Sequence, residues 1–364
     1  MKIQVPIERV RARAFKIPTD KPEADGTIAW DATTLVLVEV SGGGTCGIGY
    51  TYSGASIVTL IQDELANAIE GFDVLDPQSA WLSMQHCVRN LGREGLAATA
   101  ISAVDAALYD LKARLLNLPL ARLLGGYRRS IPIYGSGGFT SYSDEELATQ
   151  LSSWVCDDGC AFVKMKVGSH PDDDPRRVEV AKRAIGDAGL FVDANGAYTV
   201  RQALTLAKLF AGQNVGWFEE PVSSDDLQGL AAIRERISAP IEVAAGEYAY
   251  TVGYVRRMLE AHAVDVQQAD ITRCGGVTAF LQIAAICEAF HVDLSGHCAP
   301  ALHLHVACAA PRLRHLEWFH DHVRIEHMLF EGAPAPKKGR IEPDLSRPGN
   351  GLIFKEQDAA RYAA

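Results

Sequence analysis

The chain has 364 residues, of which 48% are apolar and 22% charged, and its formal net charge is −10. A length above that of one ordinary core predicts two domains, and the composition excludes a disordered chain. The acidic balance argues against a nucleic-acid partner, whose phosphates call for clustered Lys and Arg, and no apolar run approaches the roughly 18 residues of a membrane span.

The opening segment, MKIQVPIERVRARAFKIP, alternates apolar and charged residues without the apolar stretch of a signal peptide, which predicts a cytoplasmic protein. Eight cysteines fit free thiols in that compartment. Cys156 and Cys160 are the closest pair and lack CxxC spacing, so neither a structural zinc nor a disulfide framework is expected. Residues Thr33 to Val40 alternate as a strand, SGGGTCGIG supplies a turn, and a second short strand follows at Tyr50. Helical patterns cover Ile57 to Glu70, Pro77 to Asn90 and Ala97 to Leu116, and Gly125 with Gly126 closes this part. Strands first and helices after describe a small α+β domain, residues 1–126.

From Ile131 the rhythm changes to strand, helix, strand. IPIYGSGG is followed by helix Asp144 to Val155, strand Phe162 to Lys166, helix Pro175 to Ile185, strand Leu190 to Asp193 and helix Val200 to Phe210. Further strands are expected near Gly216, Ile241, Val264, Val292 and His315. The helices between them are expected over Asp226 to Ile237, Val252 to Glu260, Val277 to Phe290 and Ala301 to Ala309. Eight strands at this spacing describe a parallel α/β barrel over residues 127–321, with chemistry at the C-terminal strand ends. Past Asp321 the pattern stops, and the Pro- and Gly-rich tail, residues 322–364, is expected to run back and complete the first domain.

The strand ends carry the functional signal. FVKMK, FVDAN, WFEEP, VAAGE, VDVQQAD, DLSGH and HLEW place ionisable residues at corresponding positions on seven strands. Asp193, Glu219 and Glu247 close three successive strands and can converge on one hard divalent cation, Mg²⁺ with Mn²⁺ as a substitute, because such ions take oxygen ligands and leave positions open. Lys164 and Lys166 stand two apart on one strand, so both point into the barrel. Two ammonium groups in one cavity disfavour each other's charge, which is expected to lower at least one lysine toward neutrality. Asp270 and His297 end neighbouring strands and form a natural carboxylate–imidazole dyad. Asn195 and a protonated Glu317 are candidate donors to an oxyanion, and Ser136 is placed to touch a substrate carboxylate.

Other features carry less. His303 and His305 point to different faces of a helix, which predicts a packing or surface role rather than a metal site. Cys274, Gly275 and Gly276 could cradle an anion, but no GxGxxG or GxxxxGK[ST] occurs, so no dinucleotide or nucleoside triphosphate is expected. A cation that holds a carboxylate, with a base on either side, suits removal of the proton from the adjacent carbon. Reprotonation from the opposite face inverts that carbon, whereas loss of a β-hydroxyl dehydrates the substrate. A metal-dependent binding protein is the reading from outside enzymology.

With the KxK strand, DAN, EEP, GE, the Asp and His dyad, the LEW strand and a PGNG segment in this order, the chain resembles the mandelate racemase-like branch of the enolase superfamily over nearly its whole length. The resemblance implies a (β/α)₇β TIM-like barrel with an α+β N-terminal capping domain, in a homo-oligomer. It implies Mg²⁺ on Asp193, Glu219 and Glu247, and Lys166 and His297 as the two bases. Lys164 would tune Lys166 and contact the substrate carboxylate, Asp270 would orient His297, and Glu317 with Asn195 would hydrogen-bond the enediolate. It further implies that capping loops select the substrate, here Pro18 to Trp30 and Gly49 to Ser53, with Trp30 and Tyr50 either contacting the ligand or packing between the domains. The first loop is mostly polar, which points to a hydroxylated ligand. Dehydration of a sugar acid, aldonate or aldarate, is the leading expectation, with a 2-hydroxy acid racemase or epimerase and a lactone cycloisomerase as alternatives.

Overall fold

A computed structural model describes residues 4–237 and 240–364 of the chain. Strands β1 (Arg9–Ala24), β2 (Ala29–Gly42) and β3 (Thr45–Tyr52) form an antiparallel meander, with Phe15 opposite Leu35 and Leu37 opposite Tyr50. The sequence reading left β1 unassigned and placed Pro18 to Trp30 in a loop, whereas most of that stretch is a hairpin arm. The ladder tolerates Pro18 and Pro22 because the register shifts between Pro18 and Glu23, where the missing N–H groups cost no pairing. Only Asp25 to Ile28 turns, and the Asp25 carboxylate accepts the N–H groups of Thr27 at 2.6 Å and Ile28 at 2.9 Å.

Helix Leu96–Leu115 lies across this sheet and is buried over most of its length. Its alanines face two glycines of β3, and a Cβ on Gly49 would lie 2.3 Å from the Ala103 carbonyl oxygen, so the close approach depends on small residues from both elements. The opposite side of this helix meets the barrel. Asp105 accepts the N–H of Thr278 at 2.9 Å and its hydroxyl at 2.8 Å, while Ser102 Oγ accepts the Gly275 N–H at 2.8 Å. The segment Cys274 to Gly276 therefore docks the two parts together and does not cradle an anion.

The barrel strands are β4 (Ile131–Gly137), β5 (Phe162–Lys166), β6 (Gly189–Asp193), β7 (Val215–Glu219), β8 (Glu242–Ala245), β9 (Val266–Ala269), β10 (Asp293–Gly296) and β11 (Leu313–Phe319). They run parallel in sequence order, and β11 closes the ring on β4 with Leu316 opposite Ile133. Seven helices connect the described strands, which gives the (β/α)₇β architecture. Tyr134, Phe191, Trp217, Ala244 and Val266 fill the interior, with Phe191 stacked on Trp217 at 4.9 Å, so the barrel is a packed core with a solid floor under its C-terminal end.

After β11 the chain forms helix His320–Leu329, which the sequence reading missed by ending the pattern at Asp321; Ile325 and Leu329, four apart, bury its inner face. The tail then adds β12 (Phe330–Glu331), β13 (Arg340–Ile341) and β14 (Ile353–Phe354); β13 pairs with the start of β4 and β12 pairs with β14. It returns to the first domain: Asn350 donates to the Ile48 carbonyl at 3.0 Å, and its N–H donates to Asp110 at 2.7 Å. No helix of the described residues is long and apolar enough to cross a membrane.

Gly49→Ala forces its new methyl against fixed backbone and is expected to cost about 1–3 kcal/mol by chemical denaturation, whereas Gly216→Ala, with open space around it, is expected to be near neutral. Burial pushes the Asp105 carboxyl up from 3.8 to about 7, so over that range the folded chain binds a proton that the unfolded chain has released. The stability this group contributes is lost as pH rises from 3.8 through about 7, and Asp105→Asn is expected to flatten that part of the stability–pH curve.

Candidate active site

Strand register brings the site together. Lys166 is opposite Asp193, and Asp193 is opposite Glu219, so three successive strand ends present ionisable groups at one level. Glu247 follows β8 after Gly246, whose φ of +135° and 2.2 Å approach to the Gln268 carbonyl oxygen admit no side chain. Asp270 and His297 directly follow β9 and β10, and Glu317 lies in β11. All of these side chains are buried, as is Lys164.

Each carboxylate in this shell is turned onto a basic group. Lys164 Nζ lies 2.5 Å from Glu219, 2.9 Å from Glu317 and 3.2 Å from Asp193, and Lys166 Nζ lies 2.6 Å from Asp193. His297 Nδ1 is 2.9 Å from Asp270, and its Nε2 is 2.6 Å from Glu247. Among the described residues, the two triplets whose ligand atoms all fall within 4.8 Å of one another are His297, Cys298 and Glu317, and Asp20, Glu23 and His320. Asp193, Glu219 and Glu247 thus stand at successive strand ends without closing into such a triplet. They nevertheless fit a hard divalent cation. The six buried carboxyls Asp193, Glu219, Glu220, Glu247, Asp270 and Glu317 outnumber the basic groups Lys164, Lys166, Arg273 and His297, and Asn195 Oδ1 and Glu220 Oε1 are buried without a hydrogen-bond partner.

The charge balance corrects two expectations. Burial pulls Lys164 and Lys166 down, but Glu219 and Glu317 around the first and Asp193 beside the second outweigh it, so both are raised rather than lowered. Burial raises Glu317, but Lys164, His297 and Lys166 pull it well below the carboxylate range, so it is ionised and accepts hydrogen bonds instead of donating. Glu219 is pushed up to about 8 by burial and then by Asp193. His297 is drawn down by burial and raised further by Cys298, Glu247, Glu317 and Asp270.

Above this floor is a cavity of about 330 Å³. Lys166, Asn195, Glu247, His297 and Glu317 form its barrel side. Trp30 lines the capping side, with its Nε1 donating to Glu23 at 2.8 Å and its ring edge-on to Phe139. Tyr50 does not line it. That ring is fully buried, stacked on Phe330 at 4.9 Å with its hydroxyl donating to Glu326 at 2.5 Å, and Tyr52 reaches the cavity two residues later on the same strand face. Ser136 is likewise buried and donates to Glu317 at 2.6 Å, so it holds a carboxylate of the chain and is not free for one of a substrate. Asn195 Nδ2 donates to Glu247 at 3.1 Å. His303 and His305 are buried acceptors of the Ile271 and Ala121 N–H groups, which decides for packing over a surface role.

Sequence reasoning missed Glu220, Arg273 and Cys298. Period-two alternation points Glu220 away from Glu219, but its φ of +35° breaks the strand and returns it to the same interior. Arg273 follows Asp270 by three residues, lies 3.7 Å from Glu247 and 3.5 Å from Asp270, and stacks over Tyr248. That spacing was the available signal. Cys298 gave none beyond its place after His297.

Comparison with known proteins agrees with this fold. Residues 11–125 match the family model for the mandelate racemase / muconate lactonizing enzyme N-terminal domain, and residues 146–358 match the model for the enolase C-terminal domain-like family. The 3,6-anhydro-alpha-L-galactonate cycloisomerase of Streptomyces coelicolor is 33% identical, with 98% of this chain and 99% of that protein covered. The crystal structure of a mandelate racemase/muconate lactonizing enzyme-like protein from Rubrobacter xylanophilus superposes with a TM-score of 0.96 at 48% identity, covering 99% of this chain and 100% of the other. L-talarate/galactarate dehydratase from Salmonella typhimurium LT2, solved with Mg and L-lyxarohydroxamate, gives 0.90 at 26% identity over 100% and 94% of the two chains.

Asp270 supports the charged form of His297, so Asp270→Asn is expected to make the imidazole titrate at lower pH while the fold is retained. Ring resonances of His297 followed by NMR across a pH series check this; an unchanged titration would show that Asp270 does not tune the ring.

Proposed function

The chain belongs to the mandelate racemase/muconate lactonizing enzyme family of the enolase superfamily and is an enzyme; from that premise we propose that it removes the proton next to a substrate carboxylate and dehydrates a sugar acid, an aldonate or aldarate. The observation that carries this reading is the placement of Lys166 on β5 and His297 after β10, across the ring from each other and both lining one cavity. Asp193, Glu219 and Glu247 would hold Mg²⁺, or Mn²⁺ in its place, an ion that polarises a bound carboxylate and stabilises the charge that develops as its α-proton leaves.

The remaining work belongs to side chains. Asp270 accepts from His297 Nδ1, which leaves Nε2 directed at the cavity to take or give a proton. Its own position is fixed by the N–H and hydroxyl of Thr272, each at 2.7 Å. Lys164, between Glu219 and Glu317, supplies fixed positive charge beneath the site. Ser136 and the Cys298 N–H, at 2.6 Å and 3.0 Å, orient Glu317. In dehydration one of the pair Lys166 and His297, having first released its own proton, removes the α-proton, and the other, still protonated, donates to the departing β-hydroxyl. Thr33, Thr34, Ser53 and Arg273 give the cavity the polar lining that a polyhydroxylated chain needs. The dehydratase among the similar structures supports the same ending. The 33% identical cycloisomerase supports a second reading in which the same proton abstraction leads to ring rearrangement.

With Mg²⁺ supplied, sugar acids in deuterated water are expected to exchange the α-proton and yield a 2-keto-3-deoxy product by mass spectrometry; product isomeric with substrate would favour the cycloisomerase or racemase ending. Lys166→Ala and His297→Ala are each expected to lower turnover by about 10²-fold or more and to lose exchange from opposite stereochemical faces. Full activity in both variants would overturn the two-base assignment. Chelation is expected to abolish exchange, and either Mg²⁺ or Mn²⁺ to restore it.

A further inference from the structure

The proposed reaction gives the Cys298 thiol no role, yet that thiol stands between two groups of the site. His297 Nε2, Cys298 Sγ and Glu317 Oε2 form a triangle on one side of the cavity, with Sγ 3.4 Å from each of the other two atoms and Nε2 3.6 Å from Oε2. Zinc bonded tetrahedrally, at about 2.3 Å to sulfur and about 2.0–2.1 Å to nitrogen and oxygen, separates its ligand atoms by roughly 3.3–3.6 Å. The triangle therefore has the size of one face of a zinc tetrahedron. All three residues are buried and all line the cavity, so an entering ion meets them without unfolding.

Two further features match. Zinc-binding imidazoles usually commit their second nitrogen to a carboxylate, and His297 Nδ1 already makes that bond to Asp270 at 2.9 Å. Cys298 and Ala299 both adopt left-handed backbone, with φ of +52° and +40°, and this turn delivers the thiol beside the imidazole. The oxygen-only set of Asp193, Glu219 and Glu247 suits a hard ion, whereas thiol plus imidazole selects a softer one.

We propose that His297, Cys298 and Glu317 form an inhibitory binding site for a zinc-class ion, distinct in donor chemistry from the oxygen trio Asp193, Glu219 and Glu247. On binding, the thiol proton and the proton on Nε2 both pass to solvent, the ion replaces the 2.6 Å contact of Glu247 with Nε2, and its fourth position faces the cavity. Inhibition follows because Nε2 can no longer carry a proton, a consequence that rests on the proposed role of His297; binding does not.

The test uses the full chain saturated with Mg²⁺ and titrated with Cd²⁺. The expected result is a thiolate-to-cadmium charge-transfer absorption that Zn²⁺ displaces, that is lost in Cys298→Ala, and that needs at least about tenfold more Cd²⁺ in His297→Ala. No such band in the wild type, or one that persists in Cys298→Ala, overturns the site. Should the alanine variant unfold, Cys298→Asn, whose side chain tolerates the left-handed backbone, takes its place. In a parallel rate assay, Zn²⁺ is expected to inhibit the wild type, and Cys298→Ala to require at least about tenfold more Zn²⁺ relative to its own zinc-free rate. Cadmium binding as described without inhibition by zinc would keep the site and reject His297 as a base.

Discussion

Buried negative charge is the constraint around which this molecule is built. A carboxylate removed from water is costly unless it is paired or hydrogen-bonded, and six of them crowd the C-terminal end of one barrel. Lys164 answers three at once, Lys166 and His297 answer others, and backbone N–H groups of Thr272 and Cys298 complete the shell. Glu219 and Glu220 remain the least satisfied, both shifted upward by burial and by neighbouring acids. An arrangement of this kind is stable as protein and receptive to a cation, because added positive charge relieves repulsion that the side chains only partly cancel.

The scaffold keeps that charge in place. Aromatic rings fill the barrel beneath Lys164, with Tyr134 below its ammonium, so the lysine is held from below by packing and from above by carboxylates. Tight turns after the strands place the remaining groups, and several depend on backbone conformations that few residues accept, as at Gly246 and Glu220. Cap and barrel are coupled through one of these turns. The segment that begins with Asp270 continues through Thr272, whose carbonyl accepts from Thr51 of β3 at 2.7 Å, to Gly275 and Thr278, which are fastened to helix Leu96–Leu115. Docking of the capping domain thus fixes the loop that orients His297, and the same domain supplies Trp30 and Tyr52 to the cavity wall.

Much of this was legible in the residue string. Alternating strands and helices from Ile131 onward, with ionisable residues at the strand ends, specified a parallel barrel and most of its charged rim, because the βα repeat and the period of two act locally. The misses came from elsewhere. The β1 arm was overlooked because its prolines resemble a loop, and the bulge that tolerates them exists only once β2 is paired alongside. Sequence neighbourhood offers Ser136 to a ligand and leaves Tyr50 between ligand contact and packing, whereas Glu317 and Glu326, distant along the chain, claim their hydroxyls.

The sequence by itself determined which groups gather at the barrel mouth, since strand order and side-chain alternation leave them no other face. Only the tertiary structure decided their charge states and partners. Whether two lysines repel into neutrality or are held charged depends on how many carboxylates lie within a few ångströms, and Glu219, Glu317 and Asp193 outweigh both burial and mutual repulsion here. Electrostatic energy depends on distances in space, set jointly by seven strands and their turns, and no short stretch of sequence contains them.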